Sequence, residues 1–431
     1  MKKTSWLLLS LLILTACGKK KPTFQLDPPV PAKAILYHLN VRDFSPEGTF
    51  KGMQNRLPEL KNLGINTIIL APIQPIGLKN RQGNAGSLYA TADFKGIHPD
   101  LGTTSDFHEL LDSCHASGLY VILEWDATST AADHPWLSSH PSWYINDSLS
   151  YPINPNSATA KLNLGDSLLL QELSEQMNYW VDTMGIDGFY ASSAEAFPKQ
   201  WWSKTISRLE ETKPLLLLAK YIDNSVVASG FDLISNELLG QQLEKLLNKS
   251  SEMPVFTSMP LGINTIIARD SLGSLRLPVF HYGNRKAALI AALMPIILPG
   301  QPIIYGGEEV GHASPLLATE KNFILWGANA DIRNFYSSLL QLRNNQEAFQ
   351  SDFMTQVSLN NSQLLLIRRG NGLGTVHCLI NPTDSLANLH VPLDLQGKRF
   401  TDCFTGRSVL LEKELLMLEY SFYLLKADAA S

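Results

Sequence analysis

Several residues that could do acid–base or nucleophilic chemistry follow short apolar runs in this chain. Gly188-Phe189-Tyr190-Ala191 is compact enough for a buried strand, comes after the amphipathic run Leu168 to Met184 and Gly185, and leads to Ser192 and Glu195. Leu119-Tyr120-Val121-Ile122-Leu123 continues into Glu124, Trp125 and Asp126. Strand alternation puts Glu124 and Asp126 on one face. Leu215 to Ala219 runs into Lys220. Positions just past such strands form the C-terminal rim of a parallel barrel, where barrel enzymes keep their chemistry. The carboxyl groups of Glu124, Asp126 and Glu195 could serve there as acid, base or nucleophile. Ser192 would need a base to expose its alkoxide. Lys220, with a reference pKa of about 10.4, would have to fall by several units to act as an acid near neutral pH.

The elements around these residues alternate. Ala34 to Leu39 is a strand pattern, and Gly48 to Gly52 opens a helix to about Leu63, with Met53, Leu57, Leu60 and Leu63 on one face. Thr67 to Pro72 is the continuous apolar run of a strand buried on both faces. A helix from about Ser105 to Ser117 precedes the Leu119 run. This rhythm argues for βα units and a parallel sheet. Phe197 to Leu209 reads as a helix. Asn284 to Leu298 is an apolar helix, too short and too interrupted by Pro295 to span a membrane. A helix over Asp331 to Asn345 turns Phe335, Leu339, Leu340 and Leu342 to the barrel. From about Ser351 the runs become short strands divided by Gly, Asn and Pro, which indicates an all-β domain.

Gly185-Ile186-Asp187-Gly188-Phe189-Tyr190-Ala191-Ser192 resembles the fourth-strand motif of the α-amylase family, glycoside hydrolase family 13, which reads roughly G-I-D-G-F-R-x-D. Ile73 to Gly77, Gly86 to Phe94 and His98 to Thr103 follow the order of that family. Leu298 to Gly311 is similar to its eighth-strand signature and is the most specific stretch. The resemblance covers nearly the whole chain after the N-terminal segment. It implies a (β/α)8 TIM barrel with a C-terminal β-sandwich. It also implies a sixth strand at Gly230 to Ser235 and a seventh at Pro254 to Ser258.

Carried over residue by residue, the resemblance exposes a coherent loss. Tyr190 stands where the orienting arginine should be, and Ser192 where the nucleophilic aspartate should be. Lys220 replaces the general-acid glutamate, and Leu261 holds the place of the third carboxylate. Glu124 replaces an aspartate and Ser129 the transition-state histidine. Thr128 replaces a calcium-associated asparagine, so no cofactor is expected and calcium is not expected there. Retaining glycoside hydrolysis needs two carboxyl groups about 5 Å apart. Serine would give a stable acetal instead of a labile ester, and the lysine would set a cation beside a developing oxocarbenium ion. The resemblance makes Tyr89 a stacking platform for sugar, with Trp125, Tyr190 and Lys220 as further binding candidates.

The expected function is therefore that of an amylase-like protein in α-glucan metabolism that has lost hydrolysis and binds α-glucan or maltooligosaccharide. One alternative is an active α-glucan hydrolase with relocated acids, drawn from Asp126, Glu195, Glu124 or Asp223. A second is a non-enzymatic interaction subunit with a protein partner at the membrane, as the heavy chains of amino-acid transporters are in this family.

The chain has 431 residues, 45% hydrophobic, enough to bury a barrel and one small domain. A net charge of −5 and the lack of a basic stripe argue against nucleic acid. Met1 to Ala16 reads as a signal peptide, and Leu14-Thr15-Ala16-Cys17-Gly18 resembles a lipoprotein processing site. Lipidation at Cys17 would anchor the protein to a membrane of the bacterial envelope, facing the periplasm, without spanning it. Residues 17–33 read as a tether, 34–349 as the barrel with a short loop insertion after strand 3, and 350–431 as the β-sandwich. The remaining cysteines, Cys114, Cys378 and Cys403, lack metal-ligand spacing. Cys378 and Cys403 are either a disulfide within the small domain or free thiols.

Overall fold

The computed structural model describes residues 26–145, 157–220, 229–236, 238–247, 253–256, 262–264, 268–269 and 275–428. The signal segment, Cys17, Asp223 and Leu261 lie outside the described residues. Eight parallel strands close into a barrel in sequence order. They are β1 Leu36–Leu39, β2 Thr67–Leu70, β3 Tyr120–Trp125, β4 Gly188–Ala191, β5 Leu216–Ala219, β6 Leu233–Asn236, β7 Gly262–Asn264 and β8 Gln301–Tyr305. The expected α/β class and barrel are thus present, with antiparallel sheets after it.

Alternation along each strand sorts the side chains into two cores. Leu36, Ile69, Ile122, Leu218, Leu233, Ile263 and Ile303 fill the barrel interior. Tyr37, Ile68, Leu123, Phe189, Leu217 and Ile304 face the surrounding helices. Burial on both faces is why β2 and β5 read as unbroken apolar runs. Gly188 is required by packing: a Cβ there would come within 1.8 Å of the Leu216 carbonyl oxygen on β5.

The helices are specified locally. The one over Thr104–Ala116 starts with a capping box between Thr103 and Asp106, and the one over Ser167–Asp182 with Asp166 accepting from the amides of Leu168 and Leu169. The helix predicted from Gly48 to Leu63 is two, Phe50–Gln54 and Leu57–Leu63. Pro58, in the first turn of the second, lacks an amide donor and restricts Leu57, so the chain restarts there.

The predicted seventh strand is displaced. The barrel strand is Gly262–Asn264, not Pro254 to Ser258. Phe256 N–H instead donates to Gln356 Oε1 at 2.9 Å, and Gln356 Nε2 donates to Pro254 O at 2.9 Å. The backbone at 254–256 is thus engaged by the C-terminal domain. Leu261, expected at the place of the third carboxylate, lies outside the described residues.

After the helix Ala330–Asn345, the C-terminal domain has a six-stranded antiparallel sheet and a two-stranded one, Ala387–His390 with Glu414–Met417. Leu366, Leu379, Leu389, Leu411 and Met417 fill the space between them. Phe335 does not face the barrel as expected. It packs edge-on against Phe404 and Phe422 of this domain, at 5.5 and 6.0 Å. Ile332 and Tyr336, one turn apart, take the inward positions. Arg343 and Arg369 are buried and donate to the carbonyls ending the helix Arg285–Ile297, Arg343 to Ile296 at 2.7 Å and Arg369 to Ile297. Arg369, on the C-terminal sheet, thereby joins that domain to the barrel, while Arg343 ties two barrel helices together. Cys378 lies opposite Leu424 on one side of the strand Ser421–Ala427, and Cys403 N–H bonds Leu424 O on the other. Two strand spacings, about 10 Å, exceed disulfide reach, and both thiols are free.

Candidate functional site at the barrel mouth

Four polar side chains crown the barrel interior. His38 is in register with Tyr305 on β8, and Glu124 with Tyr190 on β4. His38 Nε2 lies 2.9 Å from Glu124 Oε2. Tyr89, on the loop after β2, donates its hydroxyl to Glu124 Oε1 at 3.2 Å. The His38 ring packs against Tyr305 at 4.8 Å and edge-on against Tyr190 at 6.0 Å. Glu124 is 1% exposed, so protein groups and not bulk water surround its carboxyl.

A cleft of about 70 Å³ opens above this layer. His38, Tyr89, Glu124 and Tyr305 form its polar side, and Phe44, Ile324 and Trp326 its apolar one. Asp43 also lines it. Asp43 Oδ1 accepts from Asn322 N–H at 2.8 Å, and Oδ2 from the amides of Asn40 and Asn322, each at 2.9 Å. Burial holds its carboxyl above the usual carboxylate range against those bonds. A few polar groups converging in an apolar cleft at the C-terminal end of a barrel suit a small-molecule ligand.

The sequence-predicted residues are placed unequally. Tyr89, Tyr190 and Glu124 meet at the mouth. Lys220 follows β5, where alternation after Leu216 and Leu218 turns it inward, and its N–H bonds Ala191 O at 2.9 Å. Ser192 N–H bonds Trp125 O, and Ser192 Oγ is buried with no hydrogen-bond partner among the described residues. Trp125 does not belong to the mouth. It is 3% exposed and packs outside the barrel against Phe94 and Phe189, so it offers no face to a sugar.

Asp126 and Glu195 are not assembled into a site. Asp126 accepts from Thr128 Oγ1 at 2.8 Å and Ser193 Oγ at 2.9 Å, bracing the loops after β3 and β4. Glu195 is exposed on a single turn over Ala194–Ala196. Ser129 pairs with Lys161 in a small hairpin of the loop after β3. Among the described residues no group of three His, Cys, Asp or Glu could hold a metal ion. Sequence reasoning missed His38 and Asp43. His38 was signalled by period two after Leu36, but its meeting with Glu124 spans the barrel and has no local trace. Asp43 lies in the short helix Val41–Phe44 after β1.

Glu308 and Glu309 follow β8. Glu308 Oε1 accepts from Tyr305 N–H at 3.0 Å and Oε2 from Tyr336 Oη at 3.1 Å. Tyr37 Oη donates to Glu309 Oε1 at 2.7 Å. Burial pushes the Glu308 carboxyl up to about 8, with Glu309 beside it adding to the rise.

Known proteins agree with this architecture. Residues 32–155 match the family model for the α-amylase catalytic domain. The chain is 30% identical over 431 aligned residues to an α-1,4-glucan:maltose-1-phosphate maltosyltransferase of Myxococcus xanthus, covering 87% of this chain and 63% of that protein. It is 26% identical to α-amylase 3 of Dictyoglomus thermophilum over 327 residues, 64% of each chain. It therefore spans just under two thirds of the length of these curated relatives. Among solved structures, a noncanonic maltogenic α-amylase from Thermotoga neapolitana superposes with a TM-score of 0.81 at 18% identity, covering 93% of this chain and 99% of that one. An α-amylase from Geobacillus thermoleovorans complexed with acarbose superposes with a TM-score of 0.75 at 17% identity, covering 94% and 100%. With the closed barrel and the trailing β-domain, these matches indicate the α-amylase family, glycoside hydrolase family 13, whose catalytic-domain model residues 32–155 match.

Proposed function

We propose that this protein is a non-hydrolytic member of its family that binds an α-glucan or maltooligosaccharide at the barrel mouth. One observation carries the reading: the mouth's acidic side chains are already engaged by the protein. Glu124 is held by His38 and Tyr89, and Asp43 by Asn40 and Asn322. Ser192 and Lys220 occupy the family positions of nucleophile and general acid, and neither suits an oxocarbenium-like transition state. What the cleft does offer is aromatic surface from Tyr89 and Trp326 beside a few polar groups, which is the chemistry of sugar binding. The relatives act on, or are solved with, compounds of that class by name. Anchoring through Cys17 in a bacterial envelope, facing the periplasm, is part of this proposal and rests on the N-terminal sequence alone.

The test follows binding and cleavage together. Purified protein is titrated with maltooligosaccharides and starch while reducing ends are assayed. Binding without turnover is expected, and Tyr89→Ala should weaken affinity roughly three- to tenfold through loss of stacking surface. Clear wild-type hydrolysis would refute inactivity. One observation favours a second reading, a hydrolase with relocated acids: Asp43 and Glu124 line one cleft. That reading requires turnover that both Asp43→Asn and Glu124→Gln abolish.

A further inference from the structure

We infer that the barrel's base faces the membrane surface and its mouth the aqueous space, an orientation that rests on the reading of Cys17 as the lipid site. What fixes it is the place where the chain enters the fold.

The entry segment is fastened to the starts of three barrel strands. Tyr120, the first residue of β3, donates its hydroxyl to Asp27 O at 2.9 Å. Asn66, just before β2, donates from Nδ2 to Lys33 O at 2.7 Å, and its Oδ1 accepts from Ile35 N–H at 2.9 Å. Gln301, the first residue of β8, reaches Ala34 O at 2.9 Å and Ala32 O at 3.3 Å with its amide turned to donate. Between these anchors Pro31–Lys33 forms a single tight turn. Pro29 and Val30 lie against the base as well, where they wall a cavity of about 150 Å³ with Asn66, Tyr120 and Leu216. Residues 27–34 are therefore part of the folded body, and the free part of the tether ends at its base.

The mouth is at the opposite pole. Tyr120 at the base and Glu124 at the mouth share β3, and the strand alone separates them by about 13 Å. The loops carrying Tyr89 and Trp326 extend beyond that. From Cys17 to Leu26 the chain can span at most about 30 Å even when fully extended. A folded body of this chain length is roughly 55 Å across. A tether shorter than the body, and joined to its base, cannot run past the barrel to let the mouth meet the bilayer. The mouth is thus left open to glucans too large to enter a cleft pressed against lipid.

Energy transfer to the lipid surface tests this. The full-length lipoprotein is reconstituted into vesicles whose headgroups carry an acceptor dye. A donor dye is placed on Lys33→Cys at the base or on Phe323→Cys, between the mouth residues Asn322 and Ile324, with Cys403→Ser removing the half-buried native thiol. Both labelled positions are exposed, and unchanged melting curves will show that the variants are folded. Transfer from the base is expected to exceed transfer from the mouth several-fold, and Cys17→Ala should lose the vesicles. About twenty Gly and Ser residues inserted after Lys21 add a flexible span of about 25 Å and should narrow the difference between the probes. Equal transfer from the two probes on vesicle-bound protein, or more from the mouth, overturns the orientation and leaves the anchor standing. A difference that the inserted linker does not narrow also overturns it, because the short tether then does not set the orientation. Cys17→Ala that still binds vesicles overturns anchor and orientation together. Because the dyes report position and need no sugar, these results stand apart from the maltooligosaccharide titration.

Discussion

Glu308→Gln should remove the pH dependence of stability that this acid imposes. The carboxyl is 2% exposed, and burial raises it from an ordinary value of 4.5 to about 8. A raised folded-state value means that the native protein holds a proton which the unfolded chain releases. Its stability is then fully present below about pH 4.5 and is lost as pH rises to about 8, by an amount on the order of 5 kcal/mol. Glutamine has nearly the same shape and no charge. It can keep the acceptor for Tyr305 N–H, and its amide can donate to Tyr336 Oη, at a cost of about 1 kcal/mol. The variant should therefore melt slightly below wild type at pH 5 and above it at pH 8. About 3.5 kcal/mol of that loss falls between pH 5 and pH 8, and for a chain of this size 1 kcal/mol is worth about 1 °C, so the difference between the two should swing by roughly 4 °C. Thermal melts at both pH values measure it. Parallel behaviour of wild type and variant across that range would refute the reasoning. The result bears on the mouth too, because Glu308 fixes the backbone of Tyr305, whose ring packs on His38.

Asp187 has the opposite sign. His115, Lys213 and the Val121 amide outweigh burial and hold its carboxyl below the usual range, so its contribution is present above about pH 4 and is lost as pH falls further. Asp187→Asn should cost about 2–4 kcal/mol at pH 7, and the gap should close in acid melts. Arg369→Met removes donors to the carbonyls of Ile297 and Ser351 and should cost about 3 kcal/mol, read as loosening of the C-terminal domain in limited proteolysis. A chelator should leave the melting temperature unchanged, and a large drop would reveal a bound ion.

Much of this protein is written locally. Thr103 and Asp106 cap a helix by their spacing alone, and the runs Thr67 to Leu70 and Leu216 to Ala219 declare strands buried on both faces. The seventh strand was not legible: Pro254 to Phe256 has a strand's composition, yet a glutamine 100 residues away takes up its backbone bonds. Trp125 and Glu124 are neighbours in sequence, but closure of the barrel sends the indole into the outer core and the carboxylate to the mouth. Phe335 has the period of a barrel-facing residue, and only the docking of Phe404 and Phe422 decides otherwise. The same holds for His38 with Glu124. Sequence fixes which groups exist and which face of an element they share, through interactions a few residues long. Which charges meet across a closed barrel depends on strands and loops far apart in the chain, and only the tertiary fold sets those distances.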